Sequence, residues 1–341
     1  MNLVSRQNGS ALRRRRSWMS PGKALRGRVS VFVRGHAATR PLRLTDGVFV
    51  MPDGALLPYR EWLPPCEPAV VVLALHGIND SADAWEIPSG LFVDAGIAVI
   101  APDQRGFGAA SGREKWHGTE VMVKDALAMM AQTRARFPRA RLYLAGESMG
   151  AAVLMVLAAA HKQLKVDGYI FSAPAVWGRR EMAVGYRLSL WLAHKTVPWM
   201  RLSATALGLR PSNNEAALRA VAGPGLARRS ARIDCLKGLA DLMDSALEAA
   251  GRNNARALFL YGGKDQLVPQ RAMAACWKIE QKTNARNRVF AFYPGGFHLL
   301  QRDVAGAVVT RDIVHWLLDS RVPLPSGAEA RAADWLENLA A

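Results

Sequence analysis

Leu142-Tyr143-Leu144-Ala145-Gly146-Glu147-Ser148-Met149-Gly150-Ala151-Ala152-Val153-Leu154 decides how this chain folds. Leu142 to Ala145 is a short apolar run without polar alternation, as in a strand buried on both faces. Helix formers follow from Met149, and the predicted helix runs to His161. Between the two, Gly146 and Gly150 flank a serine. Small residues are required there, because the strand and helix backbones approach closely at so tight a turn. A bare Gly-x-Ser-x-Gly arises by accident, but a strand, a strained turn and a helix around it present a serine hydroxyl for nucleophilic attack.

Working outward, the same kind of apolar run recurs at Val70 to Leu75, Ile97 to Ala101, Tyr169 to Phe171, Leu258 to Tyr261 and Val289 to Phe292. Helical stretches around Val121 to Arg136, Arg271 to Lys282 and Val304 to Leu318 separate them. Such βα alternation predicts an α/β fold with a mostly parallel central sheet and helices on both faces. Leu42 to Trp62 reads as an antiparallel hairpin turning at Met51-Pro52-Asp53-Gly54. The alternation is broken once, from Pro174 to about Gly238, by a segment with Trp177, Trp191 and Trp199, many arginines and no evident strand. Placed after a core strand, it is expected to form a helical lid over the carboxyl ends of the strands, where open α/β sheets bind ligands. The expected organisation is a disordered basic tail over 1–41, core over 42–173, lid over 174–238, and core again over 239–341 with a last helix around Ala328 to Leu339.

Serine needs a base, and a base needs an orienting carboxylate. After Leu258 to Tyr261 comes Gly262-Gly263-Lys264-Asp265-Gln266-Leu267-Val268-Pro269, and after Val289 to Phe292 comes Tyr293-Pro294-Gly295-Gly296-Phe297-His298. Parallel strands deliver both loops to one rim, so Ser148, His298 and Asp265 form the expected triad of nucleophile, base and orienting acid. Oxyanion donors are expected from the Met149 backbone N–H and from the loop His76-Gly77-Ile78-Asn79-Asp80, where the donor is assigned to Ile78 with Gly77 as fallback. His76 is read as structural, Asp103 and Arg105 as an ion pair or turn support, and Glu147 as support for the serine turn. Trp177, Trp191 and Trp199 are candidate substrate contacts.

These motifs, with Asp103-Gln104-Arg105-Gly106-Phe107-Gly108, resemble the monoacylglycerol lipase and bacterial lysophospholipase branch of the α/β-hydrolases over roughly residues 42 to 320. The segments Arg232-Ile233-Asp234 and Gly238 to Met243 resemble the end of the cap in bacterial lysophospholipase-like members, while Asn79 departs from the small residues common near that branch's oxyanion loop. The resemblance implies a serine hydrolase that cleaves carboxylic esters of lipids, a lysophospholipid or a monoacylglycerol, through an acyl-enzyme and with no metal or cofactor. A peptidase, amidase or acyltransferase with the same triad, or a ligand-binding protein with slow turnover, stays open, because fold does not fix substrate.

Charge narrows the partners. The net charge is +17, yet residues 1–45 hold eleven Arg and Lys with no acid, and residues 175–235 hold ten against three acids. The remainder of the chain carries only −1. Two basic attachments on a near-neutral body, without a recognition helix, zinc finger or RNA-binding motif, argue against nucleic acid. An anionic membrane surface suits them better. Three widely spaced cysteines, Cys66, Cys235 and Cys276, show no disulfide framework. With no run of eighteen apolar residues and no apolar stretch behind Arg13 to Arg16, the expected location is cytoplasmic, peripheral to the membrane.

Overall fold

The computed structural model describes residues 25–32, 41–112, 114–203, 208–222 and 230–339. Its strands are β1 (Leu25–Phe32), β2 (Pro41–Val50), β3 (Leu56–Trp62), β4 (Val70–Leu75), β5 (Ile97–Pro102), β6 (Arg141–Glu147), β7 (Gly168–Ser172), β8 (Arg201–Ser203), β9 (Ser230–Arg232), β10 (Ala257–Gly262) and β11 (Arg288–Tyr293). Its helices are α1 (Glu86–Asp94), α2 (Thr119–Arg136), α3 (Met149–Ala160), α4 (Val184–Thr196), α5 (Glu215–Ala222), α6 (Ile233–Ala249), α7 (Gln270–Asn284), α8 (Gly306–Leu318) and α9 (Ala328–Asn338). Nine strands form one sheet in the order β1-β2-β3-β5-β4-β6-β7-β10-β11. The first three are joined antiparallel, β3 pairs antiparallel with β5, and from β5 to β11 every pairing is parallel.

The apolar runs are continuous because both faces of the sheet are covered. All six residues of β4 are buried, and they divide by parity. Val71, Leu73 and Leu75 join the core layer that holds α2, α3, α6, α7 and α9, whereas Val70, Val72 and Ala74 join the layer of α1 and α8. Helix α3 is apolar on every side, and nine of its twelve residues are buried. It runs between the sheet and helices α2 and α6. This α/β-hydrolase arrangement puts the reversal of strand order at β4, between β5 and β6. That is the switch point beside which open sheets form their ligand crevice.

Three differences from the sequence reading stand out. Leu25–Phe32, read as part of a disordered tail, forms the edge strand β1, and Leu25, Gly27, Val29 and Val31 show the period of two that marks a strand. The rest of that tail, 1–24 and 33–40, lies outside the described residues. Between Pro174 and Gly238, where no strand is evident from sequence, β8 and β9 pair antiparallel, three residues each and too short to show a period. Helix α6 also runs through the expected lid boundary at Gly238. Among the described residues, no helix is long and apolar enough to cross a membrane.

Candidate active site

The serine turn is built by close packing. Ser148 has φ 53° and ψ −112°, a left-handed value that a side chain adopts at a cost of roughly 1–3 kcal/mol. The backbone is held there by Ser148 N–H donating to Ser172 O (2.9 Å) and by Ser148 O accepting from Ala152 N (3.0 Å) and Ala175 N (3.1 Å). A Cβ at Gly146 would overlap the Ala151 amide nitrogen, and one at Gly150 would lie 2.6 Å from Leu75 O and 2.8 Å from His76 O. Both glycines are thus required by backbone approach. Met149 opens α3, where the first amides have no intrahelical acceptor.

The loop after β4 lies against this turn, since a Cβ on Gly77 would be 3.4 Å from Ser148 Cβ. His76 fixes its geometry. The Gln104 N–H donates to His76 Nε2 (3.0 Å), so the ring proton resides on Nδ1, which donates to Gly77 O (2.7 Å). C=O and N–H point opposite ways across a trans peptide. The Ile78 N–H therefore faces away from the His76 ring. Asn79 follows at φ 61°, a conformation asparagine tolerates better than most residues.

On the far side of the switch point, His298 Nδ1 donates to Asp265 Oδ2 at 2.7 Å, with both side chains buried. Asp265 is itself aimed, because its Oδ1 accepts from Leu267 N (2.7 Å) and Val268 N (3.0 Å). Burial pushes the His298 imidazole down, but the charge and hydrogen bond of Asp265, helped by Glu147, more than offset this and hold it above its ordinary value. His298 and Asp265 follow the carboxyl ends of β11 and β10, at the same end of the parallel sheet where Ser148 follows β6. Two acids of α6, Asp241 and Asp244, are engaged elsewhere, Asp241 with Arg179 and Lys237 and Asp244 with Arg179.

Sequence reasoning missed two features. Arg302, in the turn after His298, is buried between Asp80 (2.7 Å) and Glu147. A lone arginine behind the apolar pair Leu299-Leu300 was the available signal. The second is a strap, Arg210 to Asn214, laid across both partner loops. Arg210 N donates to Gln266 Oε1 (2.8 Å), Leu299 N to Pro211 O (2.9 Å), Ser212 Oγ to Asp303 Oδ1 (2.6 Å), Val304 N to Asn213 Oδ1 (2.8 Å) and Asn214 Nδ2 to Arg302 O (2.9 Å). Arg105 and Asp103, read as an ion pair or turn support, divide the roles: Arg105 binds Asp125 and Asp53, and Asp103 supports the turn by accepting the amides of Ala82 and Ala109. Of the three tryptophans, Trp177 packs on the core, whereas Trp191 and Trp199 are 56% and 63% exposed.

Residues 66–305 match the family described as serine aminopeptidase, S33. The chain belongs to this family. Among its relatives, a monoglyceride lipase of Mus musculus is 22% identical over 77% of this chain and 86% of its own. A monoacylglycerol lipase of Mycolicibacterium smegmatis is 23% identical over 78% of this chain and 94% of its own. The crystal structure of Paleococcus ferrophilus monoacylglycerol lipase superposes with a TM-score of 0.64 at 21% identity, covering 77% of this chain and 98% of that one. At such identity the structural likeness speaks for the α/β-hydrolase fold.

Proposed function

We propose that this protein is a serine hydrolase that cleaves carboxylic esters of lipids, a monoacylglycerol or a lysophospholipid, through an acyl-enzyme on Ser148. The observation that carries the reading is the pairing of a strained, backbone-clamped Ser148 with a buried His298–Asp265 hydrogen bond at the same end of the sheet. In this reading Ser148 Oγ attacks the ester carbon as His298 Nε2 takes its proton, and Asp265 stabilises the imidazolium. The negative oxygen of the tetrahedral intermediate is received by the Ile78 and Met149 amides, each such donor being worth about 3–4 kcal/mol. His298 then protonates the leaving alcohol, and water repeats the sequence on the acyl-enzyme.

The lipid part of the proposal is supported by the relatives and by the character of the segment inserted after β7. Residues 174–238 act as the lid in this reading. Helix α4 has no buried residue, and Val184, Tyr186, Leu188, Trp191 and Leu192 all meet solvent beside Arg187 and Lys195. Exposed apolar groups among cations suit an acyl chain delivered from an anionic surface.

The test is fluorophosphonate labelling and hydrolysis of a panel of monoacylglycerols, lysophospholipids, p-nitrophenyl esters and amino-acid amides by the purified protein and by Ser148→Ala. Labelling should vanish in the variant and kcat should fall about a million-fold, since triad members act as a unit. Labelling retained by Ser148→Ala would place the nucleophile elsewhere, and preference for the amides would turn the reading toward the peptidase that the family description names.

A further inference from the structure

Three loops must hold a fixed relation for the proposed chemistry, and one buried side chain touches all three. Arg302 lies in the short turn Leu300–Arg302, four residues beyond His298, and is 3% exposed. Its Nη1 donates to Asp80 Oδ2 at 2.7 Å, and its Nη2 donates to Glu147 Oε1. Asp80 closes the loop of Gly77 and Ile78, with its N–H toward Gly77 O (3.4 Å) and its Oδ1 accepting from Ser81 N (2.9 Å). Glu147 is the last residue of β6, joined directly to Ser148. The guanidinium therefore spans the loops after β4 and β6 from the loop after β11.

Stability does not explain such a cluster, because desolvating three charges costs as much as their attraction returns, and apolar residues of similar volume would pack as well. Geometry does. The planar fork of arginine donates along two fixed directions, which sets both the distance and the angle between the carboxylates it binds. We propose that Arg302 is a positioning residue that holds the Ile78 donor and the Ser148 turn in register with His298, with Asp80 and Glu147 as its anchors. The proposal rests on the assignment of Ser148, Ile78 and His298 made above.

The cluster also has an electrostatic consequence at the imidazole. The charged groups facing His298 are Asp265 from the loop after β10, Glu147 from the end of β6 and Arg302 from its own turn, with Asp80 behind Arg302. Glu147 favours the imidazolium and Arg302 opposes it. Changing the geometry alone and changing the charge alone therefore leave different marks on the pH profile.

The experiment uses the full chain with a p-nitrophenyl ester, measuring kcat, KM and the acid limb of kcat/KM for the parent, Arg302→Lys and Glu147→Gln. Labelling that is present in the parent and lost in Ser148→Ala fixes the nucleophile first, so failure of that assignment is seen separately. Arg302→Lys keeps the charge but lacks the fork. It should lower kcat by about tenfold to a hundredfold, as a misplacement on the order of 1 Å does, with KM and the acid limb close to the parent's. Glu147→Gln retains an oxygen for Arg302 but removes the negative charge, and its acid limb should move to lower pH. Parental kcat in Arg302→Lys overturns the proposal. If that variant does not fold, an unmoved acid limb in Glu147→Gln overturns it instead.

Discussion

Asp265 is placed to do more than accept a proton-bearing nitrogen. Its Oδ1 is occupied by the Leu267 and Val268 amides, leaving Oδ2 for His298 Nδ1. In Asp265→Asn the amide oxygen can keep the two backbone donors, so the NH2 group faces the ring and forces the proton onto Nε2. An imidazole in that tautomer cannot take a proton from Ser148. The variant should stay folded, with an unchanged circular dichroism spectrum, while kcat falls at least about a thousandfold. The pH profile follows from the same pair. Because His298 is held above the ordinary imidazole value and, in the proposed role, must be neutral to act as base, kcat/KM should fall as pH drops through a midpoint above that of an ordinary histidine, which a pH titration of ester hydrolysis reads directly. The triad candidates were legible in the sequence because each follows an apolar strand by a short Gly-containing loop. Arg302 and Asp80 were not, since their meaning depends on a side-chain contact across 222 residues of chain that no local pattern encodes.

At the level of elements, strands and helices of the core announce themselves through burial on both faces. The inserted segment does not, and the physical reason is visible in α4, whose apolar residues Val184, Leu188, Trp191 and Leu192 recur at helical spacing yet face solvent, so the pattern does not show what the helix packs against. The strap is equally silent in sequence, because Arg210 to Asn214 is held by polar contacts to distant loops and by no periodicity of its own. Ser212 is fully buried, and its hydroxyl donates to the buried Asp303, which also receives the Phe297 amide just before His298. Removing that hydroxyl leaves a buried carboxylate short of a donor, at a cost of about 1–3 kcal/mol. Ser212→Ala should accordingly lower the urea midpoint of unfolding without changing its slope, whereas an unchanged midpoint would show that the strap adds nothing to the fold.

For the whole molecule, the uneven charge is the governing property. Eleven cations without an acid in residues 1–45, and seven net positive charges in 175–235, attach to a body that is almost neutral. Each lysine or arginine near an anionic leaflet contributes about 1 kcal/mol, so several together give reversible binding. Sedimentation with vesicles containing anionic lipid should pull down the full chain at about 0.1 M salt and release it near 1 M, where the Debye length falls from about 10 Å to about 3 Å. The chain without residues 1–40 should bind more weakly at low salt. Binding by both forms that ignores salt would assign the attraction to the apolar side chains of α4.

The strap gives the inserted segment unequal mutational tolerance. Ser212, Asn213 and Asn214 cannot change without losing side-chain bonds to the turn that follows His298, so they are tied to that loop. In α4, Leu190 packs against the core, whereas Val184, Tyr186, Leu188, Trp191 and Leu192 face solvent. Those five exposed apolar positions can therefore be rewritten, by drift or by an engineer grafting the outer face of another family member's helix, while the core keeps its packing; in the lid reading proposed above, new substrate preferences then need few and structurally inexpensive changes.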